Sequence, residues 1–354
     1  LFRSPDRSIY HKFDSDYGIQ FGFHRLSTMD LSTKGDQPFK HQISNEKTIY
    51  TLSNGEIYNH RDIIAEEDLQ CASGSDCEVI PLLYIKYHFD INKVLEKLKG
   101  EFAFIIIEIE QNGDYKILAA NDRFGVRPLF MYDDDDVLMF SSEIKGLKLG
   151  SGDTIRFPPR NYCIIEKSNK MPLFKEYYNL SNIHQSINDI NVAKDCIKHS
   201  FEKAIENMID SDRDIGCLLS GGLDSSLVSS CVSKILKEKG KKLNTYSIGL
   251  PGATDEHYAK LVSEYIGSNH THFTVSEEEF INSIPDVIRM IESYDITTVR
   301  ASTAQYMISK KIAETTNIKV LLCGDGSDEL TGGYIYFHNA PSDTEFDMEC
   351  KRLL

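Results

Sequence analysis

The sequence predicts two domains of different fold class. Residues 1–170 read as an α+β layered domain, 171–190 as a linker, and 191–354 as an α/β domain with a parallel, doubly wound sheet. Three observations carry this division. The length of 354 residues exceeds what one hydrophobic core usually serves. Strand patterns in the first part follow one another with few helices between them, whereas from about Asn191 helices and strands alternate. In the second part the glycine-rich and acidic loops follow the ends of predicted strands, where parallel α/β sheets bind their ligands.

Composition narrows the function classes. An apolar fraction of 41% suffices for ordinary cores, and a net charge of -15 argues against nucleic acid or an anionic membrane surface as partner. No apolar run reaches the length of a membrane span, and the first residues do not form a signal peptide. The 8 cysteines include no C-x-x-C pair, which argues against a zinc site or a disulfide framework and for reduced thiols in the cytoplasm. There is no repeat at a solenoid period. The chain starts with Leu1 and stops at Leu354 within a helical pattern, so it reads as incomplete at both ends.

In the first part, Gly18–His24 alternates as a strand does, and Thr48–Leu52 forms a second strand ending at the turn dipeptide Asn54-Gly55. Val79, Leu82, Leu83 and Ile85 have helical spacing, and Val94, Leu95 and Leu98 begin another helix. Phe102–Ile109 and Tyr115–Ala120 are strands, and Asp133–Asp136 is a solvated loop tip. Three polar clusters stand out: Arg25 after a strand, Asn54-Gly55-Glu56, and Gly74-Ser75-Asp76. Taken singly they read as a surface charge, a hairpin turn and a helix N-cap.

In the second part, a helix over Asp195–Met208 precedes the buried strand Ile215–Leu219. Leu223, Leu227, Val228, Cys231, Val232 and Ile235 then recur at helical spacing. Strand Asn244–Gly249, helix Ala259–Ile266 and strand Thr271–Val275 follow, and Ser276 with Glu279 forms a capping box for the helix Glu277–Ser293. The last buried strand, Ile318–Cys323, ends in Gly324-Asp325-Gly326-Ser327-Asp328-Glu329.

The junction Leu218-Leu219-Ser220-Gly221-Gly222-Leu223-Asp224-Ser225-Ser226 has the make-up of an anion cradle. Glycine lets the backbone come close to a ligand, and the N–H groups of a helix start point at negative charge. It is not a Walker loop, because the lysine is missing. Asp224 beside a phosphate makes sense with Mg2+ between them, and Asp328 offers a second carboxylate from another strand end. Read alone, Ser-Gly-Gly is equally a tight turn with a capping serine. Arg300, within Tyr294–Ser302, is either an anion binder or an ordinary surface arginine.

Taken together, these segments resemble two known families. His24-Arg25-Leu26-Ser27, Asn54–Asn59, Gly74–Glu78, Gly100–Phe104 and Asp122–Leu129 are similar in order and spacing to class II (N-terminal-nucleophile) glutamine amidotransferases. The segment from Leu218 to Ser226 resembles the pyrophosphate loop of the ATP-pyrophosphatases. With Ser247–Gly252, Tyr294–Ser302, Gly324–Glu329 and Gly333–His338 it resembles the synthetase domain of glutamine-hydrolysing asparagine synthetases. The resemblance implies an N-terminal-nucleophile sandwich followed by an ATP-pyrophosphatase domain.

Roles follow from that resemblance. Arg25 would hold the glutamine α-carboxylate and Asp76 its ammonium, with Leu26, Ser27 and Glu56 lining the pocket; Asn54 and the Gly55 N–H would form the oxyanion hole. Leu218, Ser220, Gly221, Gly222, Asp224, Ser225, Ile248, Cys323 and Gly324 would contact ATP. Asp224 and Asp328 would hold Mg2+. Thr297, Thr298 and Arg300 would bind aspartate or its adenylate, with Arg300 and Asp325 in catalytic roles. Asp325 stands where the family usually has glutamate.

The resemblance also places a nucleophilic cysteine with a free α-amine ahead of Leu1, and a catalytic lysine beyond Leu354. Cys71 and Cys77 lack a free amine, so the chain on its own is expected to bind glutamine poorly and not to hydrolyse it. The implied activity is amidation of L-aspartate through β-aspartyl-AMP, with ammonia from glutamine passing through an internal channel, and AMP and pyrophosphate as products. Glutamine, aspartate and ATP are the expected small-molecule partners, and a homodimer is left open. Two alternatives remain at this stage: a related ligase with another carboxylate acceptor, and a nucleotide-binding remnant without turnover.

Overall fold

The computed structural model describes residues 6–13, 18–134, 136–147, 150, 152–179 and 186–353. It divides into two compact units, Leu1–Ile183 and His184–Leu354.

The first unit is built on a six-stranded antiparallel sheet. Its strands, from edge to edge, are Asn169–Glu176, Asn161–Glu166, Tyr115–Asn121, Gly100–Glu110, Lys47–Ile57 and Phe39–Gln42. The central strand Gly100–Glu110 is apolar on both faces, as a strand covered on both sides must be. Phe102, Phe104 and Ile106 face a core closed by the helices Val79–Lys86 and Ile91–Lys97. Ala103, Ile105, Ile107 and Ile109 alternate to the other face. There they meet residues of two smaller sheets: a hairpin of Arg7–Lys12 with Gln20–Arg25, and Phe130–Asp133 between Leu138–Ser141 and Asp153–Arg156. The result is the expected α+β layering.

Two expectations are corrected here. Strand Lys47–Ile57 runs straight through Asn54-Gly55, pairing Asn54 with Ala103 and Gly55 with Phe102, so this dipeptide is not a turn. Residues 169–176, placed at and beyond the end of the first domain, form an edge strand of its sheet. Tyr177 adds to this closure by donating its hydroxyl to the Asn121 carbonyl at 2.8 Å.

The second unit is a four-stranded parallel sheet in the order Asn269–Thr274, Asn244–Gly249, Ile215–Leu218, Val320–Leu322. Cys217 sits in register between Thr245 and Leu322. One face packs against the helices Ile190–Met208 and Leu223–Glu238 through Ile205, Val228, Val232 and Leu236. Helix Ile296–Thr315 covers the other face, where Ile308 and Ile312 meet Tyr246 and Ile318. This is the doubly wound arrangement, with every strand pointing the same way.

Helix starts are set by local capping. The Asp189 side chain accepts from Asn191 N and Val192 N, which begins that helix at Ile190, ahead of the predicted start. The Ser276–Glu279 capping box is present as read from the sequence. Among the described residues, no helix is long and apolar enough to cross a membrane.

Candidate active site

In the first unit, three backbone segments converge on one polar pocket. Gly55 has φ of +148°, and a Cβ there would collide with the Glu101 carbonyl and come within 2.7 Å of the Phe102 Cα. The glycine therefore serves close approach of two strands. Asp76 lies inside a 3-10 turn, Asp76–Glu78, so it does not cap the following helix. Its buried carboxylate instead accepts from Ile57 N at 2.6 Å, and the Cys77 thiol donates to the Gly55 carbonyl at 3.4 Å. These two bonds fix the Asp76 turn against the Asn54-Gly55-Glu56 strand.

The pocket is unusually acidic. Burial pushes the Asp76 carboxyl up from its ordinary range. Burial also raises the Glu56 carboxyl, and the Asp76 charge adds to that rise, while the Thr28 hydroxyl and Arg127 oppose it. Arg127 is itself drawn to Glu101 at 3.4 Å. Its loop is held by Asp122, a buried carboxylate that accepts from the N–H groups of Phe102, Phe124, Val126 and Arg127 at 2.9–3.2 Å.

The Asn54 side-chain nitrogen is buried and has no hydrogen-bond acceptor among the described residues. A buried amide donor without a partner costs about 1–3 kcal/mol, so it is a group built to meet something else.

Arg25 is placed differently from the expectation. Its guanidinium is buried and directed into its own loop. Nη1 donates to the Ser32 carbonyl and Asp36 at 2.8 Å each, and Nη2 to the Met29 and Asp30 carbonyls at 3.0 and 2.5 Å. Asp30 links that loop to the pocket by accepting from Gly74 N at 2.8 Å. Ser27 is buried with its N–H on Asp6, and Leu26 is exposed. Asn54, Gly55, Glu56 and Asp76 thus sit together, while Arg25 organises the adjoining wall. Sequence reasoning missed Asp30 and gave no individual role to Asp122 and Glu78 within their matched segments; Glu78 accepts from Ala72 N and Ser73 N at 2.9 and 2.8 Å. Each is an acid near a glycine or serine turn, and only the fold shows which N–H groups it serves.

In the second unit, the strand Ile215–Leu218 delivers the chain into Ser220-Gly221-Gly222 and the helix from Leu223. Gly221 has φ of +87°, and a Cβ there would lie 2.5 Å from the Tyr258 carbonyl carbon and 2.6 Å from Ala259 N. Gly222 is the N-cap and has no side chain to satisfy the first-turn N–H groups, which leaves them for a ligand. The hydroxyls of Ser220 and Ser225 meet at 3.0 Å and close the cradle.

The acidic loop lies directly on this helix start. A Cβ on Gly324 would come within 2.8 Å of Ser225 N and 2.9 Å of the Asp224 carbonyl carbon. Asp328 is in the first turn of the helix Ser327–Thr331, and Ser327 donates its hydroxyl to the Gly324 carbonyl at 2.9 Å. Among the described residues no group of three or more His, Cys, Asp or Glu gathers as a metal centre; Asp224 and Asp328 belong to two touching loops. Ile248 is half-buried near the end of the neighbouring strand, and Cys323 is exposed.

The helix Ile296–Thr315 borders the same region. Asp295 caps it by accepting from Thr298 N and the Thr298 hydroxyl at 2.8 Å each, which holds the Asp295 carboxyl low. The Thr298 hydroxyl is thereby engaged, whereas Thr297 and Arg300 are exposed on the first turns. Further along, Gln305 reaches Asp325 at 2.7 Å.

Comparison with known proteins agrees with this two-part arrangement. Residues 23–149 match the family of glutamine amidotransferase domains, and residues 197–349 match the asparagine synthase family. The chain is 39% identical over 99% of its length to a glutamine-hydrolysing asparagine synthetase 2 from Oryza sativa, of which it covers 58%. It is 36% identical to asparagine synthetase 1 of Arabidopsis thaliana and 36% to that of Mus musculus, each over 99% of this chain and over 59% and 66% of those proteins. It therefore spans about three fifths of the length of the curated relatives it matches. The chain thus carries a domain that matches the glutamine amidotransferase family followed by one that matches the asparagine synthase family, and along nearly its whole length it is similar to glutamine-hydrolysing asparagine synthetases.

Proposed function

We propose that this chain belongs to a cytoplasmic ligase that converts L-aspartate to L-asparagine at the expense of ATP, drawing ammonia from glutamine. The observation that carries the reading is the contact of Gly324 with the first turn of the Leu223–Glu238 helix, which joins the serine-glycine loop and the acidic loop into one site.

The chemistry follows from that juxtaposition. The N–H groups of Gly222, Leu223 and Asp224, with the hydroxyls of Ser220 and Ser225, receive the phosphates of ATP. Asp224 and Asp328 would hold Mg2+, since this ion usually takes only one or two protein carboxylates, and it would supply charge neutralisation for the pyrophosphate. Arg300 and Thr297 hold the carboxylates of aspartate. An oxygen of the substrate β-carboxylate attacks the α-phosphorus, the bond to pyrophosphate breaks, and β-aspartyl-AMP forms. Ammonia then attacks the acyl carbon, Asp325 takes a proton from nitrogen, and AMP leaves with the bonding pair. Most of the rate enhancement comes from positioning and preorganised dipoles.

In the first unit, Asn54 Nδ2 and the Gly55 N–H are offered to the oxyanion of glutamine cleavage, and Asp76 with Glu56 to the substrate ammonium. The nearby thiols are unsuited to attack. Burial holds the Cys77 thiol well above its ordinary value, and burial with the Glu78 charge raises that of Cys71.

The test is pyrophosphate release from ATP with Mg2+ and a panel of carboxylate acceptors, using the protein that carries this chain. Release that depends on L-aspartate and yields asparagine with ammonium is expected. Equal release with glutamate or β-alanine, or none with aspartate, would refute the assignment.

A further inference from the structure

We propose that Gln305 is a positioning residue for Asp325: it fixes the carboxylate that takes the proton when ammonia attacks the acyl-adenylate. This rests on the reading of the second unit given above.

Asp325 lies in an exposed loop after the three-residue strand Val320–Leu322, where a short acidic side chain has nothing of its own to hold it. Two donors reach it, and both meet the same oxygen. Gln305 Nε2 donates to Oδ2 at 2.7 Å, and the Cys323 thiol approaches Oδ2 at 3.3 Å. Among the described residues no donor meets Oδ1. One oxygen is therefore pinned and the other is presented, which is the arrangement a proton acceptor of fixed direction needs.

Gln305 is well chosen for this. It stands on the helix Ile296–Thr315, whose Met307, Ile308 and Ile312 are buried and whose first turn is capped by Asp295. The donor thus comes from a packed helix, and the acceptor from a loop. An amide also fixes the carboxylate without setting a competing cation beside it. Arg300 lies five residues nearer the start of the same helix, about 7.5 Å along its axis. One helix therefore sets both the anion-binding group and the direction of the proton acceptor.

The span from helix to loop is shared by a long amide and a short acid, which gives a reciprocal test. Gln305→Asn withdraws the donor by one methylene and Asp325→Glu extends the acceptor by one. The readout is asparagine formed per pyrophosphate released, with ATP, aspartate, Mg2+ and ammonium, in the wild type, both single variants and the double variant. A misplacement on the order of 1 Å costs about 10²-fold at a reacting centre. Gln305→Asn is therefore expected to lower the ratio by about tenfold or more, and the double variant to regain most of it. A residue that only stabilised the fold would give no such rescue, and thermal unfolding of Gln305→Asn should match the wild type. An unchanged ratio in Gln305→Asn, or a double variant no better than the worse single one, would overturn the inference alone. A wild type that releases no pyrophosphate with aspartate would overturn the proposed function and this inference with it.

Discussion

The adjacent glycines of the cradle offer a matched pair, because the structure asks opposite things of them. Gly221 has φ of +87°, and its missing Cβ would sit 2.5–2.6 Å from backbone and Cβ atoms of Tyr258 and Ala259. Gly222 has φ of −68° and ψ of 164°, which any residue adopts, and its Cβ would meet only the Ser220 hydroxyl at 3.4 Å. Alanine at 221 adds about 1–2 kcal/mol of backbone strain and about 1–3 kcal/mol of overpacking against atoms that cannot swing aside. The sum is roughly 2–5 kcal/mol. For a unit of this size, at about 2–4 °C per kcal/mol, the second unit should melt roughly 4–20 °C lower. Gly222→Ala should cost no more than about 1 kcal/mol, because alanine caps a helix start less well than glycine while a stiffer unfolded chain offsets part of that loss. Calorimetry on the two variants decides the matter. Equal shifts, or a larger loss at 222, would refute the assignment of the close approach to Gly221.

Three further outcomes follow from the first unit. Asn54→Leu removes a buried donor that has no acceptor, so urea unfolding should show no loss of stability, and a loss beyond about 1 kcal/mol would mean the amide is satisfied after all. Asp122→Ala strands four N–H groups at once, those of Phe102, Phe124, Val126 and Arg127, and should cost more than about 4 kcal/mol in the same assay. The Glu56 carboxyl is raised in the folded state by burial and by Asp76, so its contribution to stability is present below the ordinary carboxylate range and is lost as pH rises through the raised value. Urea midpoints between about pH 4 and 7 should therefore decline less in Glu56→Gln than in wild type, and parallel curves would contradict the burial argument.

How much of this could be read from the sequence depends on whether the signal is local. The Ser276–Glu279 capping box and the β-rich run Phe102–Ile109 follow from residues a few positions apart; the box appears as read, and the run lies within the strand Gly100–Glu110. The parallel sheet follows from the order of elements. Asn54-Gly55 misleads because the dipeptide permits a turn, whereas here the glycine is needed where two strands press together at Glu101, 46 positions away in the chain. Arg25 shows a second limit: Asp36 and three carbonyls of the 29–32 turn, all within 11 residues, occupy its guanidinium, but such loop bonds follow no helix or strand period. Long-range polar bonds have no period and leave no pattern to read.

The two sites also solve the same electrostatic problem in opposite ways. The cradle segments 218–226 and 323–329 carry Asp224, Asp325, Asp328 and Glu329 and no lysine or arginine, in a chain of net charge -15. Four carboxylates beside a triphosphate repel it, and backbone dipoles at one helix start offset only about half a charge. On the proposed function, affinity for ATP here would need a divalent cation to offset these acids, and they would then help to admit the nucleotide. The pocket around Asp76 and Glu56 faces the reverse case. Asp76 is buried and Glu56 half-buried, both carboxyls are raised by burial, and on the proposed function an entering ammonium would favour their charged forms. On that proposal a cation would accompany the ligand in one unit, and in the other the ligand would bring its own.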